Sequence, residues 1–170
     1  MLMDVRRAVA GDAAKLAILG AATFLESFAH DHPGDGLVTH IETQHSRDWY
    51  AAALVRDDMA LWIAETELGA PVGYAILGPA TLPDSASDDL ELKRIYLLGP
   101  WQGGGRGRLL CDLVVAEAAA RGGRRLLLAV YARNEKARAF YGRQGFAEIG
   151  RTNFMVGDTP FDDLVLARPL

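Results

Sequence analysis

The chain carries a single cysteine, Cys111, which excludes an internal disulfide framework and any zinc site built from cysteines. No stretch reaches the ~18 uninterrupted apolar residues that a membrane helix needs. The start, M-L-M-D-V-R-R-A-V, lacks the positive stretch and apolar core of a secretory signal. Positive charge is not in excess either. The 18 Lys and Arg against 22 Asp and Glu leave a net charge of −4, a balance that disfavours nucleic acid and admits a cationic partner. There is no internal repeat and no low-complexity segment. What is present is ordinary globular composition, 50% hydrophobic and 24% charged. A chain of 170 residues fits one domain and buries about two-thirds of its unfolded surface without a covalent staple. The expectation is one α/β domain over 1–170, cytoplasmic, with neither membrane nor nucleic acid as partner.

Punctuation and periodicity predict the elements. An edge strand covers 3–9. Asp12 is placed to cap a helix whose apolar positions Leu16, Leu19, Thr23 and Phe24 recur at helical spacing as far as Ala29. The segment 30–37, H-D-H-P-G-D-G-L, reads as a loop, because Pro33, Gly34 and Gly36 disfavour helix. A second helix follows over 46–56, capped by Ser46, and then strands over 60–67, 71–78 and 89–98. A helix over 105–121 ends at Gly122-Gly123, where left-handed angles cost little. The apolar run 125–131 has the length of a buried strand, 134–144 is a short helix, and strands over 146–156 and 161–167 flank a turn at 157–160. Strand, helix, strand and helix in the second half imply a parallel pair joined by a crossover.

The strongest local signal is L-L-G-P-W-Q-G-G-G-R-G-R, residues 97–108, between a strand and a helix. Consecutive glycines let backbone amides approach a ligand, and amides gathered at a helix N-terminus form an anion site. Arg106 and Arg108 add positive charge. A phosphate or pyrophosphate is the natural guest. The loop lacks the Lys-Ser/Thr pair of a Walker motif. It also comes too late in the chain, and without the acidic residue after the next strand, for a dinucleotide fingerprint.

With these residues quoted, the chain resembles the GCN5-related N-acetyltransferases (GNAT). Gln102, Gly105 and Gly107 match the family's pyrophosphate-loop pattern Gln/Arg-x-x-Gly-x-Gly/Ala. Downstream, Asn134, Ala137 or Ala139, Phe140-Tyr141 and Gly145-Phe146 match a second family signature. The two motifs span residues 91–146. T-F-L-E-S-F at 23–28 looks more loosely like the bacterial polyamine acetyltransferases, although Phe24 and Phe28 also suit an amphipathic helix burying one face.

The resemblance implies a mixed sheet of about seven strands flanked by about four helices, with a splayed parallel strand pair holding acetyl-CoA. It implies direct acetyl transfer to a primary amine in a ternary complex, without a metal. The acceptor it favours is a small molecule such as a polyamine. A protein N-terminus or lysine is the alternative acceptor, a non-catalytic acyl-CoA sensor is the alternative class, and a homodimer is left open. Carried over position by position, Gln102, Gly103, Gly104, Gly105, Arg106, Gly107 and Arg108 hold the pyrophosphate. Ile95 and Leu97 pair their main chain with the pantetheine arm, Asn134 bonds that arm, and the Leu97 amide stabilises the oxyanion. Tyr141 is the acid for the departing thiolate. Glu91 falls where one branch of the family carries its base, and it can equally pair with Lys93 or Arg94 or bind a cationic substrate. Strand alternation would place Glu91, Lys93, Ile95 and Leu97 on one face. Glu26 and Tyr96 are further candidates by location. Many relatives have a proline two residues after the Leu97 position, whereas this chain has Gly99 and then Pro100.

Glu26, Asp31, Asp35 and Glu42 lie where carboxylates would gather a polyamine. His30 and His32 around Asp31 read as a solvated loop rather than a metal site. Cys111 reads as a buried core residue, and Arg121, Arg124 and Arg125 as a solvated helix end.

Overall fold

The protein is described by a computed structural model covering residues 2–170. Its centre is one seven-stranded sheet, with strands β1 (Asp4–Arg7), β2 (Ala60–Glu65), β3 (Pro71–Pro79), β4 (Leu90–Leu97), β5 (Arg125–Tyr131), β6 (Ala147–Val156) and β7 (Thr159–Pro169). The order across the sheet is β1-β2-β3-β4-β5-β7-β6. All neighbours are antiparallel except β4 and β5. Helices α1 (Ala13–Phe28), α2 (Gly34–Gln44) and α3 (Arg47–Leu54) cover one face, and α4 (Arg106–Ala120) and α5 (Glu135–Arg143) serve the other. Among the described residues no helix is long and apolar enough to cross a membrane.

The periodicity of α1 buries Leu16, Leu19 and Phe24 as expected. Leu16 and Leu19 join Tyr50, Ile63, Tyr74 and Ile76 in one core. On the opposite face Leu110, Cys111 and Val114 of α4 pack on Leu92, Leu126 and Leu128. Cys111 is fully buried and burial pushes its thiol up to about 11, so it behaves as a small apolar residue.

Four local expectations need correction. Asp12 stands at the N-cap of α1 as expected, but its side chain bonds no amide of that helix. Its carboxylate accepts from the Val9 amide at 2.8 Å and receives Arg6 through two bonds of 2.8 Å, closing the short 3₁₀ turn that leads into the helix. Residues 34–37 are helical rather than loop. Pro33 is the N-cap and both glycines fall in the first turn of α2, where no intrahelical amide bond is lost and Asp35 faces the positive end of the helix dipole. His32 is buried rather than solvated, its ring stacked on Phe161 at 3.6 Å. The expected solvated arginines are paired: Arg125 grips the buried Asp89 through bonds of 3.0 and 2.6 Å, while Arg121 bonds Glu117 and Arg124 bonds Asp88.

Helix α2 matters because it walls the large cleft described below. It docks against the β6–β7 hairpin, whose two-residue turn Gly157-Asp158 has Gly157 at φ +58°. A Cβ on Gly157 would lie 2.8 Å from the Gly36 Cα, so the two backbones touch. Gly157→Ala should therefore cost at least about 1 kcal/mol, from the left-handed angle alone, with the contact adding to it. A urea unfolding midpoint unchanged by this substitution would show that α2 does not seat on the hairpin as described.

Candidate active site

Strand β4 ends at Leu97, and a 3₁₀ turn over Gly99–Trp101 turns the chain towards α4. Gly103, Gly104 and Gly105 follow with φ of +84°, +58° and +79°, a run of left-handed angles that costs side-chain-bearing residues ~1–2 kcal/mol each. A Cβ at Gly103 or Gly105 would meet nothing within 4 Å, so the loop's surface is open. Gly105 is the N-cap of α4, and the first amides of that helix have no partners inside it. Gln102 braces the loop, its Nε2 donating to the Leu97 carbonyl at 3.0 Å and its Oε1 accepting from Lys136. Arg106 bonds the Gly103 carbonyl at 3.4 Å, and the exposed Arg108 pairs with Asp112. The Gly99 amide donates to Glu26 Oε2 at 3.2 Å, a bond that a proline at this position could not make.

The parallel pair is hydrogen-bonded only at its start. Leu90 stands opposite Leu126 and Glu91 opposite Leu127; beyond them the strands separate. On its other side β4 stays paired with β3, and the Leu98 amide donates to the Val72 carbonyl at 2.9 Å. Alternation along an antiparallel ladder then turns the peptide groups of Tyr96 towards β3 and those of Ile95 and Leu97 into the gap. A cavity of ≈ 760 Å³ runs along this gap, lined by Ile95, Leu97, Gln102, Gly103, Gly105, Gly107, Arg108, Asn134 and Tyr141, among others. Of the residues expected around the cofactor, Gly104 and Arg106 are in the loop but not in this lining. Asn134 caps α5, its Oδ1 accepting from the Ala137 amide at 3.1 Å. Tyr141 packs its ring on Phe140 and Phe146 at 5.3 and 5.8 Å. Burial raises its pKa, so the phenol stays protonated at any working pH, and its hydroxyl bonds no described residue.

A second cleft, of ≈ 880 Å³, opens on the α1–α3 side, walled by α1, α2, α3, β4 and the β6–β7 hairpin. Ile95, Tyr96, Tyr131, Asn134, Ala137 and Tyr141 line both cavities. The two spaces therefore meet where β4 and β5 part.

Glu91 lies in this second cleft, but not as strand alternation predicts. Arg94 stands opposite Ile76 and Leu92 opposite Leu77, so Lys93 is an extra residue, a β-bulge. It resets the alternation. Glu91 and Lys93 share the cleft with Arg94 and Tyr96, whereas Ile95 and Leu97 face α4. Glu91 is also engaged, its Oε2 accepting from Lys93 at 2.8 Å and from the Thr81 amide at 2.9 Å. Of the four carboxylates expected to gather a polyamine, none lines this cleft. Glu26 lines the cavity beneath the glycine loop, and Asp35 and Glu42 are exposed. Asp31 accepts from the Tyr131 hydroxyl at 3.0 Å and lies 2.6 Å from His32 Nδ1.

Two cleft residues escape the sequence motifs. Asp163 on β7, opposite Tyr131, is buried, and its carboxylate has no hydrogen-bond or ion-pair partner among the described residues. Burial, with Asp162 adding to it, raises its pKa from 3.8 to about 7. Its charge is close enough to contribute to the rise of Tyr96 to about 12, which burial dominates. The other is Arg94, whose guanidinium donates to the Tyr50 hydroxyl at 3.0 Å and lies 4.0 Å above the Trp49 ring. Asp163 falls within the strand expected over 161–167, and Arg94 enters the sequence reading only as a partner for Glu91; the sheet register brings the two into one cleft.

Comparison with known proteins agrees with this geometry. The profile of the acetyltransferase (GNAT) family matches residues 22–146. An uncharacterised N-acetyltransferase of Mycobacterium tuberculosis is 30% identical over 159 residues, 94% of this chain and 98% of its own. The PaiA N-acetyltransferase of Thermoplasma acidophilum, solved in complex with coenzyme A, superposes over 100% of both chains with a TM-score of 0.84 at 17% identity. A ribosomal-protein-alanine N-acetyltransferase from Brucella melitensis is 28% identical with a TM-score of 0.74, covering 98% of this chain and 99% of that one. A seven-stranded sheet that parts between β4 and β5, a glycine loop at the head of α4 and a profile spanning most of the chain lead to one assignment: this protein is an acetyltransferase of the GNAT family.

Proposed function

We propose that the protein moves the acetyl group of acetyl-CoA directly to a primary amine of a small molecule. One observation carries this: the cavity beneath the glycine loop and the cleft on the opposite side share Tyr96, Asn134 and Tyr141, so thioester and amine can approach from two directions and meet in the gap. The loop amides and α4 suit the pyrophosphate. The Ile95 and Leu97 peptide groups suit an extended amide-bearing arm, and Asn134 keeps its Nδ2 for the same arm.

The chemistry has three demands. A primary amine with a pKa near ~10 is protonated at neutral pH and must lose a proton before attack. Asp163 is the group suited to take it: a cleft-lining carboxylate without a partner and with an affinity for protons raised to about 7, near the optimum for a general base. Glu91, neutralised by Lys93, is less suited. As nitrogen bonds to the carbonyl carbon, charge develops on the thioester oxygen, and the Leu97 amide, already aimed into the gap, is placed to receive it. The carbon–sulfur bond then breaks, Tyr141 donates its proton to the departing thiolate, and the second proton shed by the acylated nitrogen returns to the phenolate. A cleft with one free carboxylate suits one amine better than a chain of them, so the geometry favours a monoamine over a polyamine.

Tyr141→Phe removes only the hydroxyl. Coenzyme A affinity by calorimetry and the melting temperature should persist while kcat falls by about 10²–10⁴-fold. Full turnover in this variant would remove Tyr141 from the proton path. A peptide that outperformed every small amine would move the acceptor class to protein.

Asp163 has two signatures of opposite sign. As base it must be ionised, so kcat/KM should rise with pH through about 7, and Asp163→Asn should lower the rate and abolish this limb. Its raised pKa favours the protonated native state, so this stabilisation is complete below the unfolded carboxyl's pKa near ~4 and is lost as pH rises through about 7. Asp163→Asn should therefore gain stability relative to wild type between pH 4 and 8, by at most about 4 kcal/mol. A variant that lost neither activity nor the pH limb, and gained no stability, would contradict the assignment.

A further inference from the structure

Among the described residues Arg94 is the one charged group in the acceptor cleft whose surroundings supply a brace but no counter-charge. Its Nη1 donates to Tyr50 Oη at 3.0 Å and lies 3.3 Å from His45 Nδ1. Tyr50 in turn bonds Tyr74 at 3.2 Å and lies 2.9 Å from His45. The flat face of the guanidinium rests on Trp49, 4.0 Å from the ring centre. Room for this brace comes from α1: a Cβ on Gly20 would lie 2.4 Å from both His45 Nδ1 and Tyr50 Oη.

None of these groups carries negative charge. His40 and His45 are held neutral, at about 4 and about 2, by burial first and by the charge of Arg94 second. Of the other carboxylate, lysine and arginine groups of the cleft, Asp163 alone is likewise unpaired among the described residues. Glu91 pairs with Lys93 and Arg56 with Asp58, and no carboxylate of the described residues lies within ion-pair distance of Arg94. A half-buried charge held in place without a counter-ion is costly unless a ligand completes it. Arginine's fork is suited to a carboxylate, which it can bind through two parallel bonds. Arg94 lines the acceptor cleft and not the cofactor cavity, so the phosphates of coenzyme A are not that counter-ion.

We infer that the acceptor is an amino carboxylate, its carboxylate held by Arg94 on the Trp49–Tyr50–His45 brace and its amine directed towards the gap between β4 and β5. This rests on the proposed transfer to an amine and narrows its substrate class. The unpaired charges of the cleft, Arg94 and Asp163, are of opposite sign and match the two ends of such a molecule.

The test pairs α-amino and ω-amino carboxylates of increasing length with their own uncharged amides and with diamines of equal length, following release of free CoA. The best carboxylate should exceed its amide by about 10- to 100-fold in kcat/KM, the contribution of a charge-assisted pair. That ratio should collapse towards one in Arg94→Gln and recover in part in Arg94→Lys, which keeps the charge but not the fork. Because Arg94 also braces Tyr50, melting curves accompany each variant, and binding is read separately from turnover. Glutarate should perturb the fluorescence of Trp49 in a saturable way in wild type, with Trp49→Phe as the control, and not in Arg94→Gln.

Amides or diamines that match the carboxylates, a ratio untouched by Arg94→Gln, or the absence of a saturable glutarate signal would overturn the inference. Release of CoA by uncharged amines alone would do so while leaving acetyl transfer standing. Glutarate binding without CoA release from any amine would instead contradict the proposed reaction and support the role of Arg94.

Discussion

Strands β4 and β5 pair at Leu90–Leu126 and Glu91–Leu127 and then part inside a sheet that is otherwise continuous. A backbone hydrogen-bonding group inside a protein must find a partner, and this parting leaves the Ile95 and Leu97 peptide groups without one from β5. The rest of the molecule is arranged around that gap. The glycine loop and α4 sit at its mouth, and Tyr141 of α5 stands across it. The second cleft opens on its far side, and the edge of β4 that β5 leaves unpaired faces the space between the two.

Polar groups on the two sides of the gap are handled differently. On the cofactor side the side chains are mostly committed: Gln102 spans the Leu97 carbonyl and Lys136, Asn134 caps α5, and Glu26 holds the Gly99 amide. What remains for a ligand there is largely backbone, which suits a cofactor whose extended arm and phosphates need shape and amides more than specific side chains. In the second cleft Arg94 and Asp163, of opposite charge type, are left without ion-pair partners among the described residues, in a wall of aromatic rings and of His40 and His45, which burial keeps neutral. Low local polarity strengthens whatever charge-assisted bonds a substrate makes there. It is also the physical cause of the high proton affinity of Asp163.

The glycine-loop half of the candidate site was legible in the sequence because it depends on contiguous residues. Gln102 to Arg108 fix a loop through glycine's conformational range, and Phe140-Tyr141 sits on a helix that the next signature identifies. The acceptor half was not. The bulge at Lys93 leaves no mark in E-L-K-R-I-Y-L, yet it carries Glu91 to the opposite face from Ile95 and Leu97 and beside its own counter-ion. Asp163 and Arg94 lie 69 positions apart in the chain and become neighbours of one cleft only through the order β4-β5-β7. Pro33-Gly34-Asp35-Gly36 reads as loop by propensity, but a helix can begin with such residues, and contact with the hairpin at Gly157 decides the matter. Pattern reached the fold and the loop; register and packing assembled the cleft.

The claim on which the rest stands is that the free edge of β4 receives the acetyl-CoA arm. Amide hydrogen exchange, resolved by residue and compared with and without acetyl-CoA, tests it directly. Exchange should slow at Ile95 and Leu97 together with the loop amides of Gly103 and Gly105, while Leu98, already bonded to Val72, should change little. Slowing confined to the glycine loop, with Ile95 and Leu97 unaffected, would show that the arm does not run along the gap and would contradict the account.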